Sequence, residues 1–329
     1  MSHANISIFV PHLGCSHQCS FCNQRHITGC KTLPHSTDID EAVKIATSSD
    51  KYNKDNTEIA FFGGSFTAIE REYMIELLNA AYKYVNDGTV KGIRISTRPD
   101  CIDEGILEIL KQYGVSSIEL GAQSMVDNVL IANNRGHLSG DVVYASKLIK
   151  QFGFSLGLQM MTGLYKSCEA DDCFTAEKII ELKPDTVRIY PTITIKNTYL
   201  ESLYNQGQYI PQTLEAAVSL ATKLEDMFIN NDITVIRIGL HTIEADSYVA
   251  GPWHPAFREL CESYRFKNIL NSVLKENKSY IIYVNGSDTS KIIGQNRSNI
   301  DYFSKKNIQI KIIQDNSVNK SDFIVEEVN

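Results

Sequence analysis

The sequence predicts an α/β protein built as a partial (β/α) barrel with a small α/β C-terminal domain. Short apolar, β-branched runs alternate with amphipathic stretches over the first 240 residues. Strands that are apolar on both faces and separated by helices form parallel sheets that helices cover. Unusual polar residues directly follow several of these strands, which is where parallel barrels carry their chemistry.

The individual elements follow from the pattern of apolar residues. The helix-like stretches repeat apolar residues every three or four positions, and two of them end in Gly, a common helix stop. A further helix over about 212–229 and a strand over 234–240 extend the series, so we expect the barrel to occupy residues 1–260. Six strand-like runs precede them: ISIFV (6–10), IAFFG (59–63), IRIST (93–97), SIELGAQS (117–124), SLGLQMM (155–161) and TVRIYP (186–191).

The C-terminal stretch differs from the barrel in charge. Between Tyr264 and Ile312 there are nine basic and three acidic residues, a net charge of +6 within a chain of net charge -7. The order there is a helix over about 257–275, the strand SYIIYVN, a helical middle piece and the strand IQIKIIQ. We predict a small basic domain over 261–314, followed by a polar tail over 315–329.

Composition limits the class of protein. No apolar run approaches the roughly 20 residues that span a bilayer, and the N-terminal MSHANISIFVPHLG lacks the basic region of a signal peptide. We therefore expect a cytoplasmic protein without a membrane partner, whose eight cysteines stay reduced. The net charge of -7 argues against indiscriminate nucleic-acid binding.

The loop after the first strand, GCSHQCSFCNQRHITG, places Cys15, Cys19 and Cys22 in a C-x₃-C-x₂-C run. Two metal sites fit this spacing. A [4Fe–4S] cluster held by three thiolates would leave one iron open to a small molecule. A structural zinc site would need a fourth ligand, for which there are four nearby candidates: His12, His17, His26 and Cys30.

Together with the GGS that follows the second strand, this loop resembles the radical S-adenosylmethionine (SAM) superfamily over roughly residues 5–260. The resemblance implies that Cys15, Cys19 and Cys22 bind a [4Fe–4S] cluster and that SAM binds its open iron. It also implies an electron donor such as a flavodoxin or ferredoxin, and cleavage of SAM to a 5′-deoxyadenosyl radical. The other cysteines are scattered, which favours core or surface thiols over a second cluster.

The resemblance also assigns residues to SAM. Phe21 corresponds to the aromatic residue near the adenine, and the backbone of Gly63, Gly64 and Ser65 corresponds to the motif that binds the SAM amino group. Glycines permit that close approach. In this motif Ser65 replaces a commoner Glu.

Four more SAM contacts are implied by motifs at later strand ends. Ser96 in STRP resembles a segment that contacts ribose or carboxylate, and Gln123 in GAQS resembles the GVQS of the coproporphyrinogen oxidase group. Arg135 in NRGH matches a basic residue that pairs with the SAM carboxylate. Gln159 stands where Asp often contacts the ribose hydroxyls.

A closer resemblance narrows the family. CNQRHITG, FFGGSFTAI, RISTRPD and AGPWHPAFREL resemble bacterial proteins related to the radical SAM domain of the Elongator catalytic subunit, which implies modification of tRNA wobble uridines. That subunit also has an acetyltransferase domain, and the roughly 70 residues after the barrel are too few for one. Transfer of an acyl group would then require a separate acyl-donor protein.

The C-terminal segment IIGQNRSNI resembles the core of a KH domain, which clamps nucleic-acid backbone with a G-x-x-G loop between two helices. Gly294 matches the first glycine and Arg297 takes the place of the second. Lys291 and Arg297 are the expected contacts to RNA backbone, with Lys305 and Lys306 behind them. A small domain that only caps the barrel is the alternative.

Three functions therefore stay open. The favoured one is a radical SAM enzyme that modifies RNA, with tRNA as the expected partner. The second is a radical SAM oxidoreductase that acts on a small molecule, like coproporphyrinogen oxidase. The third is a non-catalytic RNA-binding protein with a structural metal site. Arg188 and Tyr190 at the end of the sixth strand either meet substrate or serve packing.

Overall fold

The computed structural model describes residues 4–10, 18–23, 32–240 and 245–328. Cys15, one of the three predicted cluster ligands, lies outside the described residues. The chain forms two compact units: Met1–Thr213 with Leu224–Trp253, and Leu214–Lys223 with His254–Asn329. In this division the second unit includes Leu214–Lys223 and begins again at His254, whereas the expected barrel ran to residue 260.

The first unit is a seven-stranded parallel sheet in the order β1-β2-β3-β4-β5-β6-β8, which confirms the predicted half-barrel. Along it the strands follow chain order, so the carboxyl ends of all seven lie at one edge. A two-stranded ribbon, β7 with β9, follows the sixth strand. The strands of this unit are β1 Ala4–Val10, β2 Thr57–Gly63, β3 Gly92–Thr97, β4 Val115–Gln123, β5 Ser155–Thr162, β6 Thr186–Pro191, β7 Thr194–Ile195, β8 Thr234–Ile238 and β9 Tyr248–Ala250.

Amphipathic helices cover the outer face of this sheet. Their starts are fixed by side chains that accept backbone N–H groups: Asp103 accepts from Ile106 at 2.7 Å, and Glu70 accepts from Tyr73 at 2.8 Å. Among the described residues, no helix is long and apolar enough to cross a membrane. The helices, including the one that both units share, are α1 Ser36–Thr47, α2 Arg71–Asn86, α3 Glu104–Gln112, α4 Asp127–Ala132, α5 Ser139–Gln151, α6 Glu169–Glu181, α7 Tyr199–Asn205 and α8 Leu214–Ile229.

The second unit has a three-stranded sheet in the order β11-β10-β12, with β10 parallel to β11 and antiparallel to β12. Its core joins the helices to the inner sheet face through Phe266, Ile282, Ile292 and Phe303. The elements of this unit are α9 Phe257–Val273, β10 Ser279–Val284, α10 Thr289–Ile293, α11 Ser298–Ser304, β11 Gln309–Gln314 and β12 Phe323–Val328.

The predicted polar tail over 315–329 is corrected by the structure, because Phe323–Val328 is a strand of this sheet. Phe323 and Val325 pack on the core, while Ile324 between them is exposed, which is the two-residue period of a half-buried strand. The acidic residues of this segment reduce the basic character of the unit. From Tyr264 to the end of the chain there are ten basic and seven acidic residues, a net charge of +3.

Candidate functional site

The GGS motif, predicted to bind SAM, lies at the edge of the half-barrel where the strands have their carboxyl ends. The backbone N–H of Gly64 donates to the carbonyl of Val10 at 2.8 Å, so the ends of β1 and β2 are joined. Gly63 has φ of 115°, a conformation that favours glycine. Ser65 is buried at 2 % exposure and begins a short 3₁₀ turn. The GGS motif thus crosses the top of the first two strands.

The part of the cysteine loop that the structure describes is held by backbone and side-chain hydrogen bonds. The Cys22 N–H donates to the carbonyl of Cys19 at 3.2 Å, so these two cysteines share one turn. Ser20 is fully buried, and its hydroxyl donates to Oδ1 of Asn133 at 2.6 Å. The Ser20 N–H donates to the Asn133 carbonyl at 3.0 Å. The segment is therefore fastened to the end of α4.

Arg135 links the cysteine loop to the fourth strand. Its Nη1 donates to Sγ of Cys19 at 3.0 Å, and its Nη2 donates to the carbonyl of Gly121 at 2.6 Å. The guanidinium carbon lies 6.0 Å from the ring centre of Phe21. The side chain is buried, so its charge acts on Cys19 in a medium that screens little. A buried guanidinium thus donates to the sulfur of a predicted cluster ligand.

A bulge at the end of β4 shapes the floor of this site. Gly121 pairs with Gln159 and Gln123 pairs with Met160, so Ala122 is the extra residue. Gln123 has a backbone φ of 64°, a value that residues other than glycine rarely adopt. A Cβ on Gly121 would lie 2.9 Å from Nε2 of Gln123 and 3.3 Å from Nη2 of Arg135. The missing side chain of Gly121 therefore lets both polar groups occupy the site.

Three buried polar atoms in this region have no hydrogen-bond partner within the described residues: Oε1 of Gln123, Nε of Arg135 and Nδ1 of His137. Buried polar groups without partners are uncommon in native proteins and call for an explanation. Two of these atoms are on residues that the resemblance assigns to SAM. Their donors and acceptors, beside two cysteines, fit a polar ligand that carries both an amino and a carboxylate group.

Ser96 and Gln159 belong to a second polar group, on the inner face of the barrel. Nε2 of Gln159 donates to Oε2 of Glu119 at 2.9 Å and lies 3.5 Å from Oγ of Ser96. The structure therefore brings these two residues together around Glu119, whereas Cys19, Gln123 and Arg135 lie around the carbonyl end of β4.

Glu119 is the centre of a buried ion network. Arg188 donates to it twice, from Nε and Nη2, both at 2.8 Å. Arg94 donates from Nη1 to Glu119 at 3.1 Å and from Nε to Glu58 at 2.8 Å. Burial alone raises the pKa of the Glu119 carboxyl, but the two guanidiniums bring that pKa below its usual value. Of the two roles left open for Arg188, this geometry favours packing.

The residues predicted to contact RNA surround the turn between α10 and α11. Gly294 has φ of 79°, and a Cβ there would lie 2.5 Å from Oγ of Ser298. Arg297 also has positive φ, 64°, and is exposed. The residue at the second glycine position of the KH-like loop thus adopts the left-handed conformation that glycine favours.

The predicted lysines are not equivalent. Lys291 contacts Glu262 at 3.0 Å and Asp288 at 2.9 Å, so its charge is already neutralised. Lys306 donates to Oδ1 of Asn271 at 2.8 Å, whereas Lys305 is exposed. Arg297 and Lys305 are therefore the two predicted cations best placed to meet a polyanion.

Three residues that the sequence did not single out take part in these sites: Glu119, Gly121 and His137. Each had a signal. Glu119 is a lone acid inside an apolar strand, Gly121 begins the GAQS motif, and His137 ends NRGH. His137 is buried, and its Nε2 lies 3.3 Å from the carbonyl of Ala122.

His137 should make stability depend on pH. Burial, with the nearby charge of Arg135, lowers the pKa of His137 from 6.5 to about 4. Between these values the unfolded chain binds a proton that the folded chain does not bind. We therefore compare the free energy of unfolding of wild type with that of His137→Gln at each pH. The wild-type value minus the variant value should fall by up to about 3 kcal/mol as pH is lowered from 7 to 4. Urea unfolding at several pH values measures this difference.

Asp172→Asn provides a control of opposite sign. Burial raises the pKa of Asp172 from 3.8 to about 6, although its carboxylate accepts from the Gly163 N–H and the Ser167 hydroxyl. The contribution of Asp172 is thus present at low pH and is lost as pH rises through 6. A constant difference between wild type and His137→Gln across the range would contradict the assignment of a neutral, buried His137.

Comparison with known proteins agrees with this arrangement. Residues 9–172 match the model described as the radical SAM superfamily, and residues 184–266 match the radical SAM C-terminal domain. Elongator complex protein 3 of Schizosaccharomyces pombe is 30 % identical over 191 residues, which are 52 % of this chain and 35 % of that protein. A tRNA uridine(34) acetyltransferase of Dehalococcoides mccartyi is 26 % identical over 177 residues, 48 % of this chain and 39 % of that protein.

Among solved structures, the archaeal Elp3 of Methanocaldococcus infernus with an N-terminal deletion superposes with a TM-score of 0.64 at 22 % identity. The superposition covers 82 % of this chain and 64 % of that one. Similarity at this level of identity shows a shared fold. The chain spans between about a third and two fifths of the length of the two curated relatives described above.

Proposed function

The chain belongs to the radical SAM superfamily, and from this premise we propose that it is an enzyme that modifies RNA, with transfer RNA as the favoured class. The cofactors of the superfamily are a [4Fe–4S] cluster and SAM. When bound, they supply a 5′-deoxyadenosyl radical that abstracts a hydrogen atom from the substrate. The observation that carries the assignment of the site is Arg135, which bridges Cys19 and β4. Its own Nε, Oε1 of Gln123 and Nδ1 of His137 are buried and have no hydrogen-bond partner among the described residues.

In this proposal Cys15, Cys19 and Cys22 hold the cluster through their thiolates. Arg135 stabilises the charge on Cys19 through Nη1, since a charge-assisted hydrogen bond in a buried site is strong. Each terminal nitrogen carries two N–H groups and uses one of them on Cys19 or Gly121, and Nε has no acceptor among the described residues. Nε and one terminal nitrogen can therefore form the guanidinium fork to the SAM carboxylate that the resemblance implies.

The other proposed SAM contacts lie in two places: near the end of β4, and around Glu119 on the inner face of the barrel. The backbone of Gly63, Gly64 and Ser65 accepts the SAM amino group, and Phe21 borders the adenine. Oε1 of Gln123 is an acceptor without a partner in the described part of the chain and is suited to a donor on SAM. Because Glu119 holds the amide nitrogen of Gln159, the amide oxygen is the atom that this residue presents to a ribose hydroxyl, beside Ser96.

RNA is the proposed substrate for two reasons. The named function of one curated relative is acetylation of uridine 34 of tRNA, and the second unit has an α-turn-α motif with Gly294 and Arg297 in the conformations that a tight backbone loop requires. Exposed Arg297 and Lys305 are the proposed phosphate contacts. Bases become accessible to the barrel only when they are unstacked.

Charge reversal tests the RNA contacts directly. The variant Arg297→Glu with Lys305→Glu should bind bulk tRNA at least about tenfold more weakly at about 150 mM salt, with a smaller dependence on salt, because two phosphate contacts are lost. Fluorescence anisotropy with labelled tRNA measures both quantities. Lys311→Glu is the matched control, since it is an exposed lysine on β11 of the same unit.

If Lys311→Glu weakens binding as much as the double variant does, attraction is only general and the KH-like loop has no specific role. Unaltered binding by the double variant would contradict RNA recognition by this unit and would favour the small-molecule reaction. Mass spectrometry of RNA nucleosides from cells with and without the gene tests the reaction itself, since loss of one modified nucleoside is the expected result.

A further inference from the structure

We propose that Arg237 forms a binding site for a phosphate group of the nucleotide that enters the half-barrel. The proposal rests on RNA being the substrate and adds a specific residue that fixes the reacting nucleotide. Arg237 lies near the carboxyl end of β8, the last strand of the sheet. It belongs to none of the motifs that predict the cluster or SAM.

The position of Arg237 results from a bulge. Val187 pairs with Val235, but Arg188 pairs with Arg237, so Ile236 is the extra residue on β8. Bulges often re-aim a side chain beside an active site. This one places Arg237 directly beside Arg188, which lies on the inner face of the barrel with Glu119.

Two arginines at directly paired positions repel each other. Arg188 is neutralised because Glu119 accepts two of its N–H groups. Arg237 donates from Nε to the carbonyl of Gly239 at 3.1 Å, and no carboxylate pairs with it in the part of the chain that the structure describes. The described residues therefore supply no counter-charge for its guanidinium.

A half-buried cation in this state is costly for the fold. Burial lowers the pKa of Arg237, and the charge of Arg188 lowers it further, although Tyr190 opposes the shift. Among the described residues, the charged side chains Glu58, Arg94, Glu119, Arg188 and Arg237 on the inner face sum to one positive charge. Departures from local rules without compensation are expected at functional sites. An anionic ligand would supply the missing charge.

The guanidinium fork matches phosphate and carboxylate oxygens, so the carboxylate of SAM is the competing ligand. The sheet order argues against it. The proposed SAM contacts lie on β1 to β5 and the loops that follow them, and β8 is two strands from β5, the nearest of these strands. At about 4.8 Å between neighbouring strands, this separation is on the order of 10 Å across a curved sheet. A substrate phosphate fits that distance better.

Equilibrium dialysis of the cluster-loaded full chain, with SAM present, tests the site with two probes, uridine 5′-monophosphate and uridine. Wild type should bind the monophosphate at least about tenfold more tightly than the nucleoside, the usual size of a charge-assisted contact. Arg237→Met should remove that preference and leave uridine binding unchanged. Arg71→Met is the matched control, since Arg71 is an exposed arginine at the start of α2.

An unchanged preference in Arg237→Met would overturn the proposal. It would also be overturned if Arg237→Met kept the preference but lost affinity for SAM, because the anion would then be the SAM carboxylate. RNA binding by the second unit is tested separately, by the tRNA affinity of the variant Arg297→Glu with Lys305→Glu. Loss of the preference together with unaltered tRNA binding by those variants would support the phosphate site and contradict RNA binding by the second unit.

Discussion

Replacing Cys19 by Ala is expected to abolish cluster binding and SAM cleavage while the half-barrel stays folded. Cys19 is buried beside Arg135, and the small alanine side chain leaves the surrounding packing intact. Without its thiolate the loop can offer the cluster only two of the three proposed ligands. We expect a loss of more than about 100-fold in SAM cleavage, larger than the effect of removing a supporting residue.

The measurements are iron and sulfide per chain after anaerobic reconstitution, and release of 5′-deoxyadenosine. Cys168→Ala is the control, because Cys168 is an exposed thiol at the start of α6. It should retain full iron and full cleavage. A complete cluster in Cys19→Ala would show that the C-x₃-C-x₂-C loop is not the ligand set, and loss of iron in Cys168→Ala would reopen the question of a second cluster.

The variant Arg135→Met tests whether the charge of Arg135 affects the reduction potential of the cluster without being needed for cluster binding. Iron and sulfide should be retained, while the reduction potential of the cluster should fall, because a positive charge beside a thiolate favours the more reduced, more negative state. A potential equal to that of wild type would mean that the contact between Arg135 and Cys19 seen here is absent once the cluster is bound.

The half-barrel was predictable because its signal is repeated. Seven apolar runs alternate with amphipathic helices, so each strand supports the assignment of its neighbours. The end of the chain gave no such support. Phe323, Ile324 and Val325 are a run of only three apolar residues between acidic ones, and pairing with β10, about 40 residues earlier, makes them part of a strand. Non-local pairing of this kind leaves little trace in local composition.

Motifs in the sequence point to candidate site residues one by one, but they do not give the geometry of the site. Motifs identified Gln123 and Arg135, yet the bulge that gives Gln123 its positive φ depends on the register between β4 and β5. Lys291 shows the opposite case. Its charge suggested an RNA contact, but Glu262 on α9 lies close to it in space and far from it in sequence, and pairs with it. Charge counted along a chain does not show which charges are already neutralised.

Replacing Glu119 by Leu is expected to cause the largest loss of stability of any substitution considered. Glu119 is 1 % exposed and accepts from Arg188, Arg94 and Gln159. Arg94 keeps Glu58 as a partner, but Arg188 would be left as a buried cation without a carboxylate. Breaking a buried pair in this way costs about 3–5 kcal/mol. Urea unfolding measures the change, and Glu181→Leu, at an exposed pair with Lys178, should change stability by less than about 1 kcal/mol.

The double variant Glu119→Leu with Arg188→Met decides whether the loss comes from the unpaired charge. If it does, removing Arg188 as well should restore most of the lost stability, because replacing a whole buried pair by apolar residues is often close to neutral. The coupling between the two positions should then exceed about 2 kcal/mol. Additive effects of the two substitutions would contradict this account and would mean that Glu119 acts mainly through Arg94 and Gln159.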